Sequence, residues 1–214
     1  MRTTAQYSAA AAAAAAAAVL TAAPATAAET RCAILSEGHV DVFGLAYEEG
    51  ELELHVHDGE NDVEYAPHEV LLQVADEAQT TVPADYGFIG APGSKVWILP
   101  DTDVEGLLFA GWGAEEIAAG DFVDDTVTFT VHDAEGRGDV ALYTVDDFGG
   151  ADVLFDSDEG AGSWDATAGS HGHMNWAFTK AGLYRFTVEA EGVDAATGEA
   201  VSTGEVDYWF WVEA

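Results

Sequence analysis

Positive charge is scarce in this chain. Six Lys and Arg stand against 40 Asp and Glu in 214 residues, a formal net charge of -34 with a pI near 4.1. Binding a polyanion requires clustered Lys and Arg that displace its counterions, so nucleic acid is excluded as a partner. An anionic membrane surface is excluded on the same ground. Cysteine is almost missing as well. Cys32 stands alone, so no intramolecular disulfide can form, and stability must come from packing, bound metal or both. The preceding Glu29-Thr30-Arg31 is too polar for a lipid-attachment box, and Cys32 reads as a partly buried or intermolecularly paired thiol.

Long apolar runs are absent after the N-terminus. The one run, Ala9 to Leu20, is twelve residues long, short of the ~20 that a membrane span needs. With Arg2 before it and Ala25-Thr26-Ala27 after it, the pattern is that of a secretory signal peptide over residues 1–28. The sequence therefore predicts export, a secreted or envelope-associated domain over 29–214, and no membrane insertion once the signal is removed. No C-terminal anchor is expected from Trp209-Phe210-Trp211-Val212-Glu213-Ala214.

Apolar residues make up 49% of the chain and aromatics 11%, too many for a solvated acidic tail, so a buried core is expected. Glu51-Leu52-Glu53-Leu54-His55-Val56-His57 and Thr126-Val127-Thr128-Phe129-Thr130-Val131-His132 alternate polar and apolar residues, the period of a half-buried strand. Further strands are predicted at 40–47, 69–74, 96–99, 139–145, 183–190 and 205–212, with Gly, Asp and Pro clusters as turns between them. Only 114–119 reads as helical. The expectation is an all-β fold, a single immunoglobulin-like β-sandwich with one short helix. A glycine before a strand-starting tyrosine, Gly182 and Tyr184, fits a late strand of such a module.

The densest chemistry lies in Ser170-His171-Gly172-His173-Met174-Asn175-Trp176-Ala177-Phe178. On one strand, His171, His173 and Asn175 share a face and Met174, Trp176 and Phe178 share the other. Imidazoles two apart stand about 7 Å from each other along the backbone and can converge on one ion. Asn175 reads as a supporting or turn-stabilising amide and Trp176 as core.

This stretch, together with Gly38-His39-Val40-Asp41-Val42, resembles the actinobacterial surface-anchored protein domain, also called the choice-of-anchor M domain. Val82-Pro83, the run from Gly90 to Pro100, Gly111-Trp112-Gly113-Ala114-Glu115-Glu116-Ile117, Leu142-Tyr143 and Asp147-Phe148-Gly149 fall in the same order as that family's landmarks. The resemblance implies an exported, envelope-attached protein associated with metal-uptake ABC transport systems. It carries over to His39, Asp41, His171, His173, Asn175 and Trp176. His55 and His57 lie outside its motifs.

His39 and Asp41 share a face of their strand, opposite Val40 and Val42, and so supply a third and a fourth ligand to His171 and His173. Three imidazoles with a carboxylate or water suit zinc, and a more oxygen-rich shell suits manganese. His55 and His57 form a second, rival pair. Calcium is the competing ion. Asp156-Ser157-Asp158-Glu159-Gly160 opens like a calcium loop, but its twelfth position is Thr167 rather than glutamate, so an EF-hand is rejected. Loop calcium at Asp121, Asp124 and Asp125, or at Asp101 and Asp103, stays open. No phosphate loop, nucleophile elbow or His-Glu-x-x-His helix is present, and the chain reads as a binding protein rather than an enzyme. The alternative is a structural or adhesive extracellular module without a transition-metal site, stabilised by calcium.

Overall fold

The computed structural model describes residues 32–214; the signal peptide expected over 1–28 lies outside them. The strands run in order β1 (Ala33–Leu35), β2 (Gly38–Glu48), β3 (Glu51–Asp58), β4 (Val63–Tyr65), β5 (Val70–Val74) and β6 (Gln79–Thr81). They continue with β7 (Lys95–Leu99), β8 (Leu108–Glu116), β9 (Phe122–Glu135), β10 (Val140–Val145), β11 (Ala151–Asp156) and β12 (Gly162–Thr167). The last are β13 (His171–His173), β14 (Asn175–Phe178), β15 (Gly182–Asp194), β16 (Ala200–Ser202) and β17 (Val206–Val212).

The fold is all-β, as its alternating segments demand. Hydrogen bonding divides the strands into three sheets, where the sequence alone suggested the two of an immunoglobulin-like sandwich. One sheet has the order β1-β5-β17-β15-β9-β12 with β16 on β15, a second β11-β10-β14-β7-β6, and a third β13-β8-β2-β3-β4. β1 with β5, β17 with β5 and β2 with β8 run parallel. Among the described residues no helix is long and apolar enough to cross a membrane.

The short helix expected at 114–119 is not formed. Ala114, Glu115 and Glu116 end β8, and the helical turns among the described residues are single 3-10 turns at Pro67–Glu69 and Asp76–Ala78. The physical reason is tertiary. β8 lies between β13 and β2, and both neighbours take up its backbone hydrogen bonds, which overrides a local preference spread over a few residues.

The main core is aromatic. Phe43, Trp176, Phe186, Tyr208 and Phe210 are fully buried, with ring centres 5.2 Å apart for Phe43–Trp176 and 5.0 Å for Phe186–Phe210, inside the 4.5–7 Å range favoured by offset and edge-on pairs. The buried Tyr184 hydroxyl donates to the Lys180 carbonyl at 2.6 Å, tying the start of β15 to the turn before it. Met174, Trp176 and Phe178 all enter the core, as their alternation predicted.

The segment after Ser170 is not one strand, however. β13 pairs with β8 in one sheet, and β14 pairs with β10 and β7 in another. The chain changes sheets at Met174. This change fixes where the two histidines sit.

Candidate metal centre

The sheet β13-β8-β2-β3-β4 has one face in the core and one polar face, and the polar face collects five of the chain's seven histidines. Register brings this about. His173 lies opposite Gly111, Gly111 opposite Asp41, Asp41 opposite His57, and His57 opposite Glu64. One row of residues thus crosses five strands. A register shift in β2 after Asp41 turns both Val42 and Phe43 into the core and sets Gly44 opposite His55. Such a bulge re-aims side chains without breaking the sheet.

His39, His171 and His173 each offer a nitrogen within 4.8 Å of the others. Their ring centres are 5.0 Å apart for His39–His173, 5.6 Å for His171–His173 and 5.8 Å for His39–His171. Zn–N bonds of 2.0–2.1 Å at tetrahedral angles require ring centres about 5.2 Å apart. The imidazoles therefore stand at close to the spacing that a shared ion imposes.

Glycines make the room. A Cβ on Gly111 would lie 2.4 Å from the Gly172 carbonyl oxygen and 2.8 Å from His173 Nδ1, one on Gly59 2.4 Å from His39 Nδ1, and one on Gly113 3.1 Å from Asp41 Cγ. The faces of β8 and of the turn after β3 are bare where the rings and the carboxylate need space.

His173 is stacked flat on Phe109, with ring centres 3.4 Å apart and an angle of 9°. Both of its ring nitrogens are buried without a hydrogen-bond partner. Burial pushes the pKa of His173 down, helped by the neighbouring His39; the nearby Ala110 carbonyl acts the other way but lies outside hydrogen-bond geometry. Burying an unpaired polar atom costs about 1–3 kcal/mol, so nitrogens left bare in this way are suited to a ligand.

Asp41 is the other unsatisfied group beside the imidazoles. It is 2% exposed and its Oδ1 has no hydrogen bond, lying 3.6 Å from His39 Nε2, while Oδ2 lies 3.5 Å from His57 Nδ1. Glu115 Oε1 sits 3.1 Å from His171 Nδ1. A carboxylate on one ring nitrogen fixes the orientation of the ring and leaves the other nitrogen to coordinate.

Of the four residues singled out from the sequence, His39, His171 and His173 bring their nitrogens within 4.8 Å of one another; Asp41 lies outside that group, 3.6 Å from His39. Asn175 is not placed with them. Its side chain accepts from the Asp101 amide and donates to the Tyr143 carbonyl, each at 3.3 Å, because the sheet change at Met174 turns it away from the imidazoles; it stabilises the neighbouring turn. Trp176 is core, and its Nε1 donates to the Ala110 carbonyl.

Among the described residues the expected pair His55 and His57 does not share a common third donor. His57 faces Asp41 and Asp62, while His55 lies 3.6 Å from Glu116 Oε1 and converges with Glu64 and Glu116. On β2 the residue opposite His57 is Asp41 and the one opposite His55 is Gly44. Among the described residues no comparable group of three donors forms at Asp101 and Asp103 or at Asp121, Asp124 and Asp125. Asp121 and Asp125 instead accept from backbone amides of their own loop, Ala118 and Gly120.

No protein-family model matches this chain, and no curated protein matches it. Nothing in the local sequence around Phe109 and Glu115 marks them as parts of a site. The Gly111-Trp112-Gly113 triplet was the one available signal, since alternating glycines in a strand mark a close approach.

Proposed function

We propose that this protein binds a divalent transition metal, zinc or manganese, through His39, His171 and His173, with Asp41 as the fourth ligand. The observation that carries the reading is the convergence of three imidazoles from two strands beside a buried, unpartnered carboxylate oxygen. Three nitrogens and one oxygen suit zinc in tetrahedral geometry, and water in place of Asp41 would leave an open position. No group in the cluster is arranged as a nucleophile with its base, so binding rather than turnover is the function proposed.

Membership of the choice-of-anchor M domain family is part of the same proposal, resting on the ordered landmarks quoted from the sequence. It assigns the protein to the outside of an actinobacterial cell, where it captures or passes metal near a metal-type ABC transporter. Export by the N-terminal signal fits that role. Zinc and manganese titration of the metal-free protein, by calorimetry at pH 7.5, tests the site. The His171→Ala/His173→Ala variant is expected to lose the tightest zinc equivalent. Unchanged stoichiometry and affinity in that variant would refute the assignment. Because coordinating imidazoles must be neutral, zinc affinity is expected to fall towards acid pH as protons compete for the same nitrogens.

A further inference from the structure

His55, Glu64 and Glu116 lie on three different strands or strand ends, β3, β4 and β8, and their donor atoms fall within 4.8 Å of one another. None of them belongs to the imidazole triad. His55 Nε2 is 3.6 Å from Glu116 Oε1. Gly44 again provides the clearance, since a Cβ there would lie 2.5 Å from His55 Nε2. Bonds of about 2.1–2.2 Å at right angles set neighbouring donors about 3 Å apart, so small rotations of two exposed glutamate side chains complete the approach.

Two features of the surroundings point to a cation. Behind His55 and Glu116 is a cavity of about 10 Å³, lined also by His57 and by Asp41, whose Oδ2 lies 3.5 Å from His57 Nδ1. That volume is about the size of one water. In front of them opens an outer cup of about 290 Å³, lined by Glu48, Glu49, Glu51 and Glu53 with no Lys or Arg. Glu48 and Glu51 stand directly opposite each other on β2 and β3, a like-charge pairing that destabilises a sheet unless something neutralises it.

We propose that His55, Glu64 and Glu116 form a second divalent-cation site, harder in character than the triad, with the glutamate cup as its mouth. One neutral imidazole and two carboxylates carry a charge that matches a divalent ion. The oxygen-rich donor set selects manganese over zinc relative to the three-imidazole site, because carboxylate and water favour Mn²⁺ and imidazole favours Zn²⁺. The cup concentrates cations at the entrance by its field. The site is independent of the triad and stands without it.

The experiment uses the full exported chain, freed of metal, with Mn²⁺ binding followed by the loss of the free-ion electron paramagnetic resonance signal and Zn²⁺ binding by calorimetry. The parent protein is expected to hold one Mn²⁺ that survives in His171→Ala/His173→Ala. That Mn²⁺ should weaken at least tenfold in His55→Ala and in Glu64→Gln/Glu116→Gln, while the tight zinc equivalent is kept. A control, Glu48→Gln/Glu51→Gln, lies in the cup but outside the donor set and is expected to slow capture in low salt without removing the equivalent. Retention of full Mn²⁺ affinity in both His55→Ala and Glu64→Gln/Glu116→Gln overturns the proposal. So does an equal loss in the control, which would mean that the cup attracts ions diffusely. Loss of Mn²⁺ in the His171→Ala/His173→Ala variant alone would assign the ion to the triad and overturn it as well.

Discussion

Replacing His173 by leucine should stabilise the metal-free protein. The imidazole is held in the sheet with both nitrogens buried and unpaired, and an unsatisfied buried polar group costs about 1–3 kcal/mol. Leucine removes that penalty and keeps apolar contact with Phe109; the ring stack it loses is a face-to-face sandwich at 3.4 Å, closer than the favoured offset and edge-on arrangements, so the loss is at most about 1 kcal/mol. The difference is a net gain of about 1 kcal/mol, or roughly 2–4 °C in Tm for a domain of this size. Most core substitutions go the other way. Zinc should reverse the order. At a free concentration of about 100 times Kd, a bound ion adds about 2.7 kcal/mol to the parent protein, and the variant gains far less. Differential scanning calorimetry in EDTA and in excess zinc gives both numbers. If His173→Leu melts below the parent in EDTA by the margin of an ordinary core lesion, or shifts equally in zinc, the ring is a structural element and not a ligand waiting for an ion.

Gly111→Ala should weaken zinc binding at least tenfold while leaving the core folded, because its Cβ would meet the Gly172 carbonyl oxygen at 2.4 Å and β13 must move away; calorimetry beside near-ultraviolet circular dichroism checks it. The Tyr47 hydroxyl donates to Asp194, and this contact, with support from Thr197, holds the Asp194 carboxyl down to about 2 and pushes the phenol up to about 12. The carboxylate's contribution to stability is therefore present above its ordinary value near 4 and is lost as pH falls through about 2, while the phenol's is present below 10 and is lost as pH rises through about 12. Tyr47→Phe should raise the Asp194 pKa towards its ordinary value, read by carbon-detected NMR titration, and an unmoved titration would remove Tyr47 as the cause. With 40 acidic residues and six basic ones, self-repulsion should make Tm rise from low to molar sodium chloride; a flat response would count against an acidic surface adapted to salt.

Much of this was legible in the chain because it depends on spacing alone. The alternation in Glu51 to His57 fixed a strand and its buried face, and His39 with Asp41 and His171 with His173 were bound to share faces once they lay in strands. What brings the two pairs together is not local. It is β8, whose glycines break the hydrophobic alternation and whose Ala114-Glu115-Glu116 looks helical in isolation. The same strand hides the role of Glu115 beside His171. The i, i+2 spacing of His55 and His57 suggests a pair, but the register shift in β2 gives each its own neighbour, and no pattern in either strand announces that shift. The same spacing groups Asn175 with the histidines, and the change of sheet at Met174 carries it away from them.

That change of sheet has a mechanical consequence. The two imidazoles hang on a three-residue strip stitched to Gly111 and Gly113, while the very next residues are anchored among Trp176, Phe178 and the aromatic interior. An ion that tied this strip to His39 across β8 would work as a rivet between the rim of the molecule and its centre, and occupancy at the surface would be felt as stiffness in the interior.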